Sequence, residues 1–457
     1  MYSIHTFLLQ KELFRSPEPV KTSVVSSFTD TPALQQIARQ ADSDYILFYT
    51  GTSPIELHPY AIGRMYQIAE SNDGALFYSD YQEIRQGKKI HHPTLEYQTG
   101  GIRNDFDFGQ LLLFRNDSFQ QVVAQMNTDY RFAALYELRL SISRLGKIVH
   151  IPETLYTVQP TDLRLSGEKQ FDYVDPANRE VQLEMEAVCT AHLQAIGAWL
   201  APEFQRIDFG QENFAREASV IIPVRNRKRT IAEAVESALQ QQTDFSFNVI
   251  VVDNHSTDGT GQILTELSRR YPNLIHHIPA STELGIGGCW TEAILLPECG
   301  KFAIQLDSDD LYKDCHVLQR IVDTFYQENC AMVIGSYQMV DFKLEEIPPG
   351  LIAHREWTPD NGRNNALRIN GLGAPRAFYT PVLRQIKFPN VSYGEDYATA
   401  LAISRKYPIA RIYDPLYLCR RWEENSDHDL DIQQLNNYNF YKDKIRTLEI
   451  QARISGK

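Results

Sequence analysis

The stretch from Lys301 to Tyr312, KFAIQLDSDDLY, constrains the fold more than any other part of the sequence. Its apolar half predicts a buried strand, and a cluster of carboxylates follows at once, at Asp307, Asp309 and Asp310. Carboxylates this close repel one another unless a cation or hydrogen-bond donors hold them. A divalent ion suits such oxygen ligands, whereas the alternative interpretation is a cap for a helix that begins near Tyr312. The stretch by itself leaves both interpretations open.

Composition narrows the class of protein. At 457 residues the chain is long enough for about two to three domains. A formal charge of −13 argues against a general nucleic-acid binder, so we expect no nucleic-acid partner. The six cysteines form no CxxC pair, which predicts neither a zinc site nor a disulfide framework. No apolar run is long enough to span a bilayer and no signal peptide is recognisable, so we expect a cytoplasmic protein, with peripheral binding at the inner face of the membrane as the alternative.

Hydrophobic patterns predict an α/β fold in two domains. Residues 1–165 contain several strand candidates with helical stretches between them, and residues 166–215 have a helical pattern typical of a connector. Residues 216–430 predict a second α/β domain, and residues 431–457 a C-terminal helical tail. In the second domain, a strand, a helix and a strand predict a parallel pair whose carboxyl ends face a ligand.

Four motifs occur in a specific order in the second domain. They are SVIIPVRNR from Ser219, VIVVDNHSTDGT from Val249, LDSDD from Leu306, and Tyr393-Gly394-Glu395-Asp396. This succession resembles the family 2 glycosyltransferases, which have the GT-A fold, and it extends over roughly residues 217 to 427. The resemblance implies a catalytic domain that binds a nucleotide sugar.

The resemblance also implies roles for particular residues. Contact with the nucleotide is implied for Pro223, Val224, Arg225, Asp253, Asn254, Asp307 and Ser308. A bound Mn²⁺ or Mg²⁺ is implied for Asp309 together with Asp307, and deprotonation of the acceptor for Asp396. The chemistry agrees independently, because glycosyl transfer needs a cation to take up charge on the departing diphosphate and a carboxylate near the acceptor hydroxyl.

Further candidates surround this set. A loop that contacts the acceptor or closes over the site would include Glu395, Arg376, Trp290, Arg421, Trp422 and His428. Trp290 either stacks on a ligand ring or belongs to the core, and the phosphate-binding arginine of related sequences is absent from its neighbourhood. Arg376 either binds a phosphate or pairs with a carboxylate. His428 is either an extra metal ligand or a surface histidine.

The first domain resembles the later half of the same fold. Its strand Tyr45 to Tyr49 ends at Thr50-Gly51-Thr52-Ser53, where the second domain has LDSDD, so this motif cannot hold a metal. Too few residues precede Tyr45 for a complete nucleotide-binding half. We therefore expect a truncated, degenerate GT-A-like copy that binds an acceptor, orients the second domain or mediates a homodimer.

These observations predict an enzyme. It would move a sugar from a UDP- or GDP-sugar to a hydroxyl of a glycan, a lipid-linked acceptor or a protein or peptide, in glycan, polysaccharide or glycoconjugate biosynthesis. By analogy with the family, we expect inversion at the anomeric carbon and dependence on a metal. The alternative is a catalytically inactive GT-A-like binding or scaffold protein. The joint presence of Asp307, Asp309 and Asp396 favours the enzyme.

Overall fold

The computed structural model of the chain describes residues 2–159, 178–210, 213–422 and 430–456. The chain divides into two compact units. Unit 1 comprises Met1–Trp199, Leu367–Ile369 and Leu430–Lys457, and unit 2 comprises Leu200–Ala366 and Asn370–Asp429. Each unit is built around a mixed sheet, with nine strands in the described part of the chain. None of the described helices has the length and apolar character needed to cross a bilayer.

The elements are numbered in chain order. Unit 1 begins with β1 (Ile4–Leu8), β2 (Phe14–Arg15), β3 (Lys21–Val24), α1 (Thr31–Gln40), β4 (Tyr45–Tyr49), β5 (Ile55–Leu57), α2 (Ala61–Glu70), β6 (Gly74–Arg85), β7 (Lys88–His92), β8 (Leu111–Arg115), α3 (Asn116–Val123), α4 (Ala134–Leu145), β9 (Lys147–Val158) and α5 (Arg179–Ala195). Unit 2 contains β10 (Ala218–Val224), α6 (Ile231–Leu239), β11 (Phe247–Asp253), α7 (Thr260–Arg270), β12 (Leu274–His277), α8 (Ile286–Leu295), β13 (Phe302–Gln305), β14 (Leu311–Tyr312), α9 (Val317–Glu328), β15 (Met332–Val340), β16 (Glu346–Ile352), α10 (Gly362–Asn365), β17 (Arg376–Tyr379), α11 (Thr380–Ile386), α12 (Glu395–Ser404) and β18 (Ile409–Arg420). The last helix, α13 (Ile432–Ile454), belongs to unit 1.

The parallel strands of unit 2 form where the sequence is continuously apolar. Almost every residue of β10, β11 and β13 is buried, as expected for strands covered on both faces. β10 pairs in parallel with both β11 and β13, and β11 pairs in parallel with β12. This arrangement confirms the predicted parallel pair and the α/β fold class. It also brings the carboxyl ends of these strands to one edge of the sheet.

The two sheets have the same strand order. In unit 2 the order is β12-β11-β10-β13-β17-β15-β18-β14, with β16 paired to β15. In unit 1 it is β3-β1-β4-β8-β6-β9-β5-β2, with β7 paired to β6. Seven neighbouring strands of the unit 1 sheet, from β3 to β5 in the order above, correspond to the seven neighbouring strands of unit 2 from β11 to β14. The corresponding strands also occur in the same order along the chain. The chain is therefore a tandem of two sheets with one topology.

The sheets also agree in register. In unit 1, β6 pairs in parallel with β9, and an irregularity directly before Tyr81 brings this residue opposite Tyr156. In unit 2, β15 pairs in parallel with β18, and an irregularity directly before Tyr337 brings this residue opposite Tyr417. An irregularity of this kind is a specific feature of one position in a strand pair. Its recurrence at matching positions strengthens the correspondence between the two sheets.

The units differ in the half that precedes their central strand. In unit 2, the three parallel strands β10, β11 and β12 lie in succession on one side of β13. In unit 1, only β1 and β3 lie on the corresponding side of β4. The strand β1 comes from the apolar start of the chain, so residues before Tyr45 supply more of the fold than the sequence indicated. Much of the predicted connector, residues 166–177, lies outside the described residues, and α5 belongs to unit 1.

Candidate functional site

The edge of the unit 2 sheet collects the predicted motifs. Val224 at the end of β10 lies opposite Asp253 at the end of β11, and β13 ends beside β10 with Gln305 opposite Ile221. The polar residues that follow these strands, including Asp307, therefore start from one edge. This edge is the candidate active site.

The loops after β10 and β11 are joined by hydrogen bonds. The backbone N–H of Asn226 donates to Ser256 Oγ at 2.9 Å, and Asn226 Oδ1 accepts from the backbone N–H of Thr257 at 2.8 Å. Asn226 has a φ of 54°, a left-handed conformation in which asparagine is more common than most residues. The predicted nucleotide-binding residues Pro223, Val224 and Arg225 lead into this turn, and Arg225 is exposed to solvent.

Asp253 and Asn254 are both buried at the end of β11. Asp253 Oδ1 accepts from the backbone N–H of Ser256 at 2.9 Å, and Oδ2 lies 3.3 Å from His276 Nε2. Burial acts to raise the pKa of Asp253, but the hydrogen bonds from His276 and Ser256 outweigh it, so the pKa lies below its usual value. Asn254 Nδ2 donates to the carbonyl of Leu284 at 2.7 Å. Both side chains are thus held in fixed orientations.

Asp307, just beyond β13, is held by Gln305, two residues before it, and by Tyr417, which is distant in sequence. Its two carboxylate oxygens accept from Gln305 Nε2 at 2.9 and 3.0 Å, and its backbone N–H donates to the hydroxyl of Tyr417 at 2.8 Å. Desolvation of the carboxylate raises the pKa of Asp307, although Arg376 and Gln305 act in the opposite direction. The neighbouring charge of Asp309 adds to the increase.

The next two carboxylates, those of Asp309 and Asp310, have different partners. Ser308, which precedes them, is buried. Asp310 is also buried, and its Oδ1 accepts from the backbone N–H of Arg420 at 2.8 Å. Burial and the charge of Asp309 raise the pKa of Asp310 well above its usual value. Asp309 Oδ2 accepts from the indole N–H of Trp422 at 3.1 Å. The same oxygen lies 3.8 Å from the Nε of Arg227 in the loop after β10.

A second group of charged residues adjoins the carboxylate cluster. Arg376, the first residue of β17, forms an ion pair with Asp396 in the first turn of α12. The backbone N–H of Arg376 donates to Gln305 Oε1 at 3.1 Å, so one glutamine side chain contacts both Asp307 and β17. Burial acts to lower the pKa of Arg376, but the carboxylates of Asp396 and Asp307 outweigh it, and the pKa lies above its usual value. Arg376 was expected either to bind a phosphate or to pair with a carboxylate, and in the structure it pairs with a carboxylate.

Glu395 precedes the ion-paired aspartate and has a different environment. It is 8% exposed, and its Oε2 has no hydrogen-bond partner among the residues that the structure describes. Burial and the charge of Asp396 raise the pKa of Glu395 to about 8. The carboxyl group of Glu395 therefore stays largely protonated at neutral pH, unlike that of an ordinary glutamate.

The remaining candidates are divided between the core and the site. Trp290 is buried against the rings of Phe378 and Phe388, at centroid distances of 5.7 and 5.2 Å, so it belongs to the core of unit 2. Arg421 pairs through its backbone with β15, donating its N–H to the carbonyl of Val340 at 2.9 Å. His428 lies outside the described residues.

Several residues of the site were not predicted from the sequence. Gln305, Tyr417, Arg420 and Arg227 contact the carboxylates. Arg227 ends the SVIIPVRNR motif but had no predicted role, and the other three lie outside the four motifs. The short strand β14 pairs with β18, which places Tyr417 and Arg420 beneath the LDSDD stretch. For Tyr417 and Arg420, the sequence signal was their position directly before Arg421 and Trp422, which were predicted to close over the site.

The donor set agrees with the implied Mn²⁺ or Mg²⁺. Asp307 and Asp309 offer carboxylate oxygens. Burial, with a smaller contribution from the neighbouring charge of Asp309, raises the pKa of both Asp307 and Asp310, and a bound cation would favour their charged forms. Within the described ranges, no three acidic, histidine or cysteine side chains converge closely enough to enclose an ion by themselves. The residues therefore fit an ion that takes one or two protein carboxylates and completes its shell with phosphate oxygens and water.

Comparisons with known proteins find relatives of the part of the chain that contains this edge. Residues 219–386 match the model of glycosyl transferase family 2. An uncharacterized glycosyltransferase of Nostoc sp. is 32% identical over 123 residues, which are 27% of this chain and 37% of that protein. The poly(ribitol-phosphate) beta-glucosyltransferase of Bacillus spizizenii is 24% identical over 230 residues, which are 49% of this chain and 35% of that protein. The structure of S. aureus TarS 1–349 in complex with UDP-GlcNAc is 23% identical, covers 52% of this chain and 72% of that one, and has a TM-score of 0.40.

The matched residues run from β10 to the end of α11 and include the LDSDD stretch. Unit 2 therefore carries a region that matches the family 2 glycosyltransferase model. The chain spans little more than a third of the length of the two curated relatives described above.

Proposed function

We propose that the chain transfers a sugar from a nucleoside-diphosphate donor to an acceptor hydroxyl during synthesis of a polysaccharide or related glycan. The observation that carries this proposal is one connected set of side chains. Gln305 links the carboxylate of Asp307 to β17, where Arg376 pairs with Asp396. Carboxylates suited to a cation and a separate carboxylate suited to a proton are thus brought together, which is the minimum that glycosyl transfer requires.

Asp396 is the proposed base that takes the proton from the acceptor hydroxyl. Its ion pair with Arg376 favours the ionised carboxylate and fixes its orientation. Glu395, the other acid of the motif, is a weaker candidate because a pKa of about 8 keeps it protonated at neutral pH. A protonated carboxyl group cannot accept the proton of the acceptor.

Asp309 and Asp307 are the proposed ligands of Mn²⁺ or Mg²⁺. When bound, such an ion would offset the negative charge that develops on the departing diphosphate. The loop from Pro223 to Asn226 and the pair Asp253 and Asn254 would bind the nucleotide, since these residues follow the neighbouring strands β10 and β11. The single separate base supports a direct displacement with inversion at the anomeric carbon, which proton NMR of the product would test.

The acceptor is proposed to be a polymer or a glycan. This proposal is supported by the relative from Bacillus spizizenii, whose name states that it acts on poly(ribitol-phosphate). The donor is proposed to be a UDP- or GDP-sugar. Unit 1 is proposed to be non-catalytic, because Thr50, Gly51, Thr52 and Ser53 follow β4 where unit 2 has its carboxylates. A role of unit 1 in acceptor binding or in a homodimer stays a prediction.

Calorimetry with the full chain tests the proposal. We expect UDP or GDP to bind, more tightly with Mn²⁺ than with a chelator, and the Asp309→Ala variant to lose the effect of Mn²⁺. Asp323→Ala is the matched control, because Asp323 is an exposed aspartate on α9 whose carboxylate accepts from Gln319 at 3.0 Å. If the metal improves binding equally in all three proteins, Asp309 is not a ligand. If neither nucleotide binds the wild type, the inactive binding or scaffold protein becomes the better hypothesis.

A further inference from the structure

The side chain of Trp422 occupies an unusual position beside the carboxylate cluster. It lies directly beyond the end of β18, where the guanidinium carbons of Arg227 and Arg229 lie 5.7 and 5.4 Å from the centre of its ring. Phe342 contacts the same ring nearly edge-on, at 5.3 Å between centroids and 72° between planes. Cations above an aromatic face are attracted to it, so the ring is held from two directions.

The polar edge of this ring is directed at Asp309. Its indole N–H donates to Asp309 Oδ2 at 3.1 Å. The Nε of Arg227 lies 3.8 Å from the same oxygen. One carboxylate oxygen is thus contacted by both the indole of Trp422 and the arginine that packs against the indole ring, and both contacts help to orient the side chain of Asp309.

The backbone beneath Asp309 is fixed independently. Arg420 donates from its Nε to the carbonyl of Asp309 at 2.5 Å and from its backbone N–H to Asp310 Oδ1 at 2.8 Å. The guanidinium of Arg420 also forms an ion pair with Glu233 on α6. Since the main chain is held by Arg420, the contacts of Trp422 act on the side chain of Asp309 alone.

We propose that Trp422 is a positioning residue for the metal-binding carboxylate of Asp309, and that Arg227 and Arg229 hold its ring in place. This inference rests on the proposed function, in which Asp309 binds a divalent ion. Hydrogen bonds to a ligating carboxylate orient it before the ion arrives, and their loss typically lowers metal affinity by about 10- to 100-fold. The contacts also connect the loop after β10, proposed to bind the nucleotide, to the metal site.

The test uses the Trp422→Phe variant of the full chain, which keeps an aromatic ring but lacks the N–H donor. Mn²⁺ binding in the presence of UDP is measured from the electron paramagnetic resonance signal of free Mn²⁺. We expect the affinity to fall by about 10-fold or more. Trp199→Phe is the control, because Trp199 belongs to unit 1, and its Mn²⁺ affinity should match the wild type. Equal affinity in Trp422→Phe and the wild type would overturn the proposal.

A second pair of variants separates positioning from folding. Arg229→Ala removes a cation from the ring of Trp422, whereas Lys228→Ala removes the neighbouring cation of the same loop. We expect Mn²⁺ affinity to fall in Arg229→Ala and to stay unchanged in Lys228→Ala, with thermal unfolding of both close to the wild type. Equal effects of the two substitutions would contradict a specific role of the ring. If the wild type itself binds no Mn²⁺ with either UDP or GDP, the proposed function fails, and this inference fails with it.

Discussion

Glu395 permits a direct test of the electrostatics of the site, since it can be neutralised without changing its shape. Its pKa is about 8 in the folded chain, against 4.5 for an ordinary glutamate. A raised pKa means that the folded state retains a proton which the unfolded state has lost. Stability is therefore fully present below about pH 4.5 and decreases as the pH rises to about 8.

The size of the effect follows from this difference. At about 1.36 kcal/mol for each pKa unit, the interval from 4.5 to about 8 corresponds to an upper limit of about 5 kcal/mol. The Glu395→Gln variant carries a neutral side chain of the same shape at every pH, so it avoids this loss. For a domain of about 150 to 250 residues, each kcal/mol changes the melting temperature by about 2–4 °C.

We expect Glu395→Gln and the wild type to melt at similar temperatures near pH 5, and the variant to melt higher near pH 9, with an upper limit of about 10–20 °C. The assay is thermal unfolding of the full chain with a chelator present, so that bound metal does not alter the comparison. Glu283→Gln, at an exposed glutamate, is the control and should show no such pH dependence. A difference between Glu395→Gln and the wild type that is equal at both pH values would refute the reasoning.

Two further substitutions test the base and the placement of the last helix. Asp396→Asn should lower turnover by about 10²- to 10⁴-fold, because an amide cannot accept the proton of the acceptor. Calorimetric donor binding should stay unchanged, because Asp396 is proposed to contact the acceptor and not the donor. Retained turnover would exclude Asp396 as the base. Asp443→Ala should destabilise unit 1 by about 3–5 kcal/mol, because Asp443 is 1% exposed on α13 and its loss leaves the buried cations of Arg103 and Arg446 without this partner. Urea unfolding measures this loss, and the control is Lys444→Ala at the exposed neighbouring residue. If the two variants have the same unfolding midpoint, Asp443 on α13 does not stabilise unit 1.

The sequence predicted the parts of the site that are encoded locally. Continuous apolar runs identify β10, β11 and β13, and the first polar residue after each run marks the edge of the sheet. Asp253 and Asp307 were predicted in this way, and both lie at strand ends on that edge. The fold class followed from the same pattern, because alternating strands and helices with buried strands favour a parallel sheet.

The contacts between distant segments were not predictable by such reasoning. Tyr417 reaches Asp307 only because β14 and β18 pair across more than a hundred residues of chain. The pairing of Arg376 with Asp396 likewise depends on how α12 packs beside β17, which no local pattern encodes. The placement of α13 in unit 1 is of the same kind, since a helix pattern indicates a buried face without identifying what covers it.

The two sheets show how one topology supports different chemistry. In unit 2, charged residues follow the central strand β13, and the raised pKa of Asp307 indicates a charge that the fold alone does not stabilise. In unit 1, the corresponding strand β4 ends without carboxylates, and a cluster of polar side chains forms instead around Asp80 on β6 and His150 on β9. There Asp80 Oδ1 accepts from His150 Nε2 at 2.8 Å and from the N–H of Thr94 at 2.8 Å, and the pKa of Asp80 is lowered, because these bonds outweigh the opposing effect of burial. Since its partners stabilise this carboxylate in the charged form, the cluster in unit 1 is suited to hold strands together, whereas the crowded carboxylates of unit 2 are suited to bind a cation.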